Sequence, residues 1–168
     1  MALPDTDAAV QGLVDFVDAS PSPFHAVLTA SRLLEDDGYV AVDETEPFPT
    51  EPGRYLLVRG GSLVAWSTQD RPRRPVRSFR VVGAHTDSPN LRIKPNPDQA
   101  RAGWQLLGVE SYGGPLLASW LDRDLGLSGR VAVRGPNGLE ARLFLADEPL
   151  VRVSELAIHL SEPPRTRR

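Results

Sequence analysis

His85 and Asp87 stand two residues apart in the stretch GAHTDSP, residues 83–89. An extended backbone puts both side chains on one face. A metal-binding imidazole commonly passes its second ring nitrogen to a carboxylate or carbonyl, which fixes the tautomer. The pair therefore has the chemistry of half a metal site. Its position is suited to that, because the apolar run SFRVVGA, residues 78–84, predicts a strand ending at His85. Ligands gather at the C-terminal ends of strands in α/β sheets. A lone His-x-Asp is still a weak signal, and by pattern alone a hydrogen-bonded structural histidine is favoured.

The other chemistry-bearing residues have blander readings. Asp122 and Asp124 flank Arg123 and share one face of a following strand. Paired carboxylates serve general acid–base catalysis only beside a shared substrate, and a salt-bridged turn is the favoured reading here. Gly113-Gly114 lacks the lysine and the helix start of a phosphate loop. Ser88 has no G-x-S-x-G context for a nucleophile. His25 reads as structural or surface, opening a helix. His159, in LAIHL, alternates with apolar residues and reads by pattern as structural.

The elements that must position these residues follow from apolar spacing. Val10, Leu13, Val14, Phe16 and Val17 predict a helix over residues 5–19. After Ser20-Pro21-Ser22-Pro23, a second helix is expected from Phe24 to a stop at Gly38. YLLVR (55–59) and SLVAWS (62–67) around Gly60-Gly61 predict a tight hairpin. Residues 68–76 are polar and proline-rich, an expected loop. Beyond Asp87, residues 92–103 read as polar and turn-rich. Short β-like pieces then follow at 104–110, 125–134, 139–144 and 150–153, with Pro136-Asn137-Gly138 as a turn. The order suggests an α/β layer with a mixed sheet, then a separate β-rich unit. A boundary falls within residues 90–103.

Composition narrows the class. Hydrophobic residues make up 40% of the 168, enough for a core. Net charge is −3 with the signs interspersed, which gives no electrostatic case for nucleic acid or an acidic membrane surface. The basic runs 71–74 and 165–168 read as a solvated loop and tail. With no cysteine there is no disulfide, thiolate zinc site or cysteine nucleophile, which fits a cytoplasmic protein. The N-terminus does not have the pattern of a secretory signal. No apolar run approaches the ~20 residues of a membrane span.

Five stretches in order, SPSPFHAV (20–27), VGAHTDSP (82–89), GVESYGG (108–114), WLDRDL (120–125) and LAIHL (156–160), resemble the aspartyl-aminopeptidase family of zinc exopeptidases. The resemblance covers residues from about 10 to 160. It implies a cytosolic or vacuolar metallo-aminopeptidase that removes N-terminal residues, often acidic ones, from peptides. It implies an α/β sandwich holding two zinc ions, with a β-rich dimerisation domain inserted. His85 matches a zinc-ligand position. Asp87 matches the acidic residue behind that imidazole and counts with the catalytic apparatus. The family places the segment containing His159 near a neighbouring subunit's active site, where it would help bind substrate. The expected division is residues 1–92 for part of the catalytic domain and 93–168 for part of the dimerisation domain. The fold class is thus α/β, a partial sandwich of two helices, a hairpin and a strand of a mixed sheet, followed by part of the β-rich inserted domain.

A two-zinc hydrolase needs several protein ligands, a bridging carboxylate and a glutamate base. The resemblance places those in a later portion of the catalytic domain, and no Asp-Asn, Glu-Glu pair or late histidine follows Leu160 here. The expectation is an N-terminal portion, inactive alone, forming homo-oligomers. The competing expectation is a non-catalytic remnant or interaction module that pairs through its β-rich half.

Overall fold

The computed structural model describes residues 6–69, 78–155, 157 and 159. The basic runs 71–74 and 165–168, and most of the expected loop over 68–76, lie outside them.

Two helices open the chain, α1 (Thr6–Asp18) and α2 (Pro23–Asp36). The α2 start is set by chemistry local to the sequence. Ser22 is extended (φ −148°, ψ 163°), and its hydroxyl accepts the His25 N–H at 3.4 Å. Pro23 follows, where a missing N–H costs nothing. His25 Nδ1 lies 2.7 Å from the same hydroxyl, so this histidine belongs to the helix cap. At the other end Gly38 takes φ +87°. Its N–H donates to the Glu35 carbonyl, and the Tyr39 N–H to that of Leu34 (both 2.9 Å). These paired bonds close the helix as a left-handed glycine cap.

A three-stranded mixed sheet follows: β1 (Val40–Ala41), β2 (Arg54–Arg59) and β3 (Ser62–Ser67), in the order β1-β2-β3. β1 runs parallel to β2, and β2 antiparallel to β3, with Arg59 opposite Ser62 across Gly60-Gly61. Leu56 on β2 and Val27 on α2 are the largest fully buried side chains, at 1% and 2% exposure. They seat the second helix on the sheet. On the edge, Trp66 packs against Phe48 and Tyr55, with ring centroids 6.0 and 5.7 Å apart.

Residues 78–84 do not form the expected strand. They carry no strand ladder, with Val82 97% exposed. Strand propensity is satisfied only when a neighbouring backbone takes up the N–H and C=O groups. Among the described residues no strand pairs with this one.

The opposite correction applies to residues 92–103. They lie largely in a long strand, β4 (Asn90–Arg101), paired antiparallel with β5 (Trp104–Tyr112). Cross-strand pairing overrides their polar composition. Pro95 and Pro97 sit within the register shift between Ile93 and Asp98, where the ladder asks for no donor. The link is Ala102-Gly103, both at positive φ (+51° and +82°), as a two-residue primed turn requires. A 3-10 turn (Leu117–Trp120) leads to β6 (Asp124–Gly135), and the Pro136-Asn137 turn to β7 (Gly138–Arg152). The pieces expected at 139–144 and 150–153 are thus essentially one strand.

Two compact units result. One contains residues up to Asp87 together with Gly129–Phe144, and the other Ser88–Ser128 with residues from Leu145 on. The first is α/β, and the second is β-rich.

Candidate metal-ligand site

His85 and Asp87 end the unpaired segment with which the first run of the α/β unit closes. Thr86 between them ties that segment down, its hydroxyl donating to the Gly61 carbonyl at 2.7 Å. The β2–β3 turn is therefore what positions the histidine. On its other side Pro89 limits the backbone, and the Asn90 side-chain amide donates to the Ser88 carbonyl at 2.7 Å.

His85 Nδ1 lies 2.7 Å from the Asp87 carbonyl oxygen and 3.4 Å from Asp87 Oδ1. A carbonyl can only accept, so a neutral His85 carries its proton on Nδ1. That leaves the lone pair on Nε2, the state a metal or a donor group needs. The His85 side chain is 82% exposed and that of Asp87 41%. Both imidazole and carboxylate are accessible from solvent.

The fit to zinc is partial. A zinc site takes three or four protein ligands. Among the described residues no group of three or more His, Cys, Asp or Glu could hold a metal ion. The chain offers one oriented imidazole with a carboxylate beside it, and no closed site is formed by the residues in view. His159 is exposed and belongs to the β-rich unit, whereas His85 belongs to the α/β unit.

Asp122 and Asp124 form a clasp. Arg152 donates to Asp124 Oδ1 from Nη2 (2.6 Å) and Nε (3.1 Å). Asp122 Oδ1 accepts the Glu155 N–H at 3.1 Å, and its own N–H donates to the Val153 carbonyl at 2.8 Å. This is a salt-bridged turn, as the sequence suggests. The sequence reading does not identify the backbone role of Asp122, although aspartate's tolerance of the left-handed region was the available signal.

Among the described residues no helix is long and apolar enough to cross a membrane. Comparison with known proteins is consistent along nearly the whole chain. The family model for aminopeptidase I zinc metalloprotease (M18) matches residues 16–167. The probable M18 family aminopeptidase 2 of Mycobacterium tuberculosis H37Rv is 52% identical over 155 residues, covering 92% of this chain and 36% of that protein. The protein of that name from Streptomyces coelicolor is 49% identical over 148 residues, 88% of this chain and 33% of its own length. The chain thus spans about a third of the length of these curated relatives. Among solved structures, the complex of Ape4 and Nbr1 superposes with a TM-score of 0.84 at 35% identity, covering 92% of this chain and 30% of that one. Yeast aminopeptidase 1 superposes at 0.76 and 26%, over 96% of this chain and 40% of its own. The S. cerevisiae mApe1 dodecamer gives 0.72 and 26%, over 90% and 36%. With the family model matching well over half of its residues, this chain belongs to the M18 family, the aminopeptidase I zinc metalloproteases.

Proposed function

We propose that this chain is part of a zinc aminopeptidase that removes N-terminal residues, often acidic ones, from peptides. The supporting observation is the His85 imidazole, held through Nδ1 on the Asp87 carbonyl and carboxylate in a chain of a zinc metalloprotease family. His85 is a metal ligand in this reading, and Asp87 orients it. Residues 1–92 serve as part of the catalytic domain and residues 93–168 as part of the β-rich dimerisation domain. That second part joins copies of the chain into a homo-oligomer, and His159 contacts the peptide bound in a neighbouring subunit. In this reading the whole enzyme holds two zinc ions, which one imidazole cannot hold, so these 168 residues by themselves are expected not to turn over. The absence of cysteine supports a cytoplasmic location.

A second reading has a specific observation behind it. The β4–β5 ribbon exposes Trp104 at 73%, with Leu106, Leu107, Ile93 and Val109 at about 40%. A two-stranded ribbon is marginal alone in water. In this reading the chain is a non-catalytic module that pairs through that surface with itself.

The test is a chimera in which residues 16–160 replace the matching stretch of the Mycobacterium tuberculosis relative, with that relative as control. Zinc content and cleavage of a glutamyl chromogenic substrate are measured. The aminopeptidase reading expects cleavage, and loss of it in His85→Ala. A chimera that assembles like its parent but is inert sinks this reading and leaves the second. The isolated chain is expected to hold less than two zinc ions and to be inert. Turnover by it would show that the site is completed by residues discounted above.

A further inference from the structure

The outer part of the β6–β7 hairpin belongs to the α/β unit, although the expected boundary at residue 92 would assign it to the β-rich part. Residues Gly129–Phe144 group there with the two helices and the three-stranded sheet. Arg130 and Leu143 from this hairpin line one cleft with Phe24 and Leu28 of α2, Val58 of β2 and Gly60. The Arg130 guanidinium lies over the Phe24 ring, 4.5 Å from its centroid. A planar, weakly hydrated cation on a ring face is an oriented contact, unlike an arginine head turned out to water.

What these two side chains bracket is the β2–β3 turn. A Cβ added at Gly61 would stand 3.5 Å from Pro23 Cβ and 3.6 Å from the Phe24 ring. One added at Gly60, where φ is +60°, would stand 4.0 Å from Arg130 Nη1. Phe24 therefore packs beside Gly61, and Arg130 reaches Gly60 while stacked on Phe24. The Gly61 carbonyl is the acceptor for the Thr86 hydroxyl, at 2.7 Å. Thr86 adjoins His85. A hydroxyl bond places its residue only as well as its acceptor is itself placed. The contacts run unbroken from Arg130 through Phe24 and Gly61 to Thr86, all within the α/β unit.

We propose that Arg130 is a positioning residue for His85. Stacked on Phe24, it steadies the Gly60-Gly61 turn, and the turn, through Thr86, fixes the segment that carries the imidazole. The hairpin tip thereby serves the metal-ligand segment by way of the turn. The role rests on the reading of His85 as a metal ligand.

A chain of contacts is a chain of effects only if its ends are coupled, so the test is a double-mutant cycle. Backbone order is read by 15N relaxation on the full chain, without metal. Arg130→Ala and Thr86→Val are each expected to bring the order parameters of the Thr86 and His85 amides from about 0.85 down to about 0.6. The double variant is expected to fall no further than Thr86→Val alone. Arg130 is exposed, so Arg130→Ala is expected to melt close to the parent, with the β4–β5 amides unchanged. Parent-like order at His85 in Arg130→Ala overturns the proposal. So does additive loss in the double variant, which would make the hairpin and the hydroxyl independent. In the chimera, zinc affinity is read with a competing chelator. Arg130→Ala is expected to lower it about threefold, less than the ~10–100-fold of a direct partner of a metal ligand. Unchanged affinity there, with zinc lost in His85→Ala, overturns the positioning role. If His85→Ala itself leaves zinc affinity unchanged, the metal reading falls and the proposal with it. The order parameters alone decide whether Arg130 acts on the segment.

Discussion

The Nδ1 of His85 lies closer to the backbone carbonyl of Asp87, at 2.7 Å, than to its carboxylate, at 3.4 Å. The carbonyl alone can therefore hold the proton on Nδ1. This separates the two residues energetically. In the metal-ligand reading, removing the imidazole removes the ligand. Removing the carboxylate leaves the tautomer held and takes away only the negative charge that raises ligand basicity.

In the chimera, His85→Ala is expected to abolish zinc binding at that position. Asp87→Ala is expected to weaken it nearer tenfold than a hundredfold, the lower end of about 10–100-fold for outer partners of a metal ligand. Zinc titration with a competing chelator reads both. Equal damage from the two variants would mean that the carboxylate, not the carbonyl, fixes the ring.

The α2 helix rests on its cap and on Leu56. Ser22→Ala removes the hydroxyl that serves the His25 N–H, and is expected to cost about 1 kcal/mol. Leu56→Ala opens a cavity at a side chain only 1% exposed, at a cost of about 2–5 kcal/mol. In urea denaturation of the chain, Leu56→Ala should be the more damaging by a wide margin. Equal midpoints would show that the observed core is not what holds the unit together.

The parts of this architecture legible in the sequence are those fixed by neighbours along the chain. The Ser22-Pro23 start, the Gly38 stop and the Gly60-Gly61 hairpin each depend on a few adjacent residues. The expectations for residues 78–84 and 92–103 fail for one reason. A strand is a relation to a partner, and the sequence of one segment does not carry the partner. Apolar 78–84 lacks a ladder among the described residues, while polar 90–101 finds one in β5. In the candidate site, the local His85–Asp87 pair was legible from spacing. The grip of Asp122 on Glu155 spans 33 residues and was not.

Asp43 offers a check on electrostatics. Its Oδ1 accepts the Thr45 hydroxyl at 2.7 Å and the Thr45 N–H at 2.8 Å. The hydroxyl bond, and then the backbone bond, hold its carboxyl below the usual carboxylate range, against a small opposing effect of burial. A depressed folded value means stability that is present above the unfolded value of about 3.9 and is lost as pH falls through the folded one. Carbon-detected NMR titration should place the Asp43 midpoint below the ordinary aspartate value, and Thr45→Val should bring it up. An Asp43 midpoint unmoved by that change would dismiss the turn as its cause.

The apolar segment before His85 has a last, sharper consequence. Phe79, Val81 and Val82 are 72%, 86% and 97% exposed. If residues 79–82 pair as a strand in the larger protein, Phe79 and Val81 share one face and Val82 takes the other. Apolar residues on both sides are the mark of a strand covered on both faces within a parallel or mixed sheet. In the isolated chain such a segment is a template for association. Val82→Asp is therefore expected to reduce concentration-dependent association, followed by light scattering, without lowering the melting temperature. In the chimera, where the remaining two-thirds of the relative is present, the same change is expected to destabilise, because a charge would then be buried. A melting temperature unaltered in both settings would show that the segment is a solvated connector and never a strand.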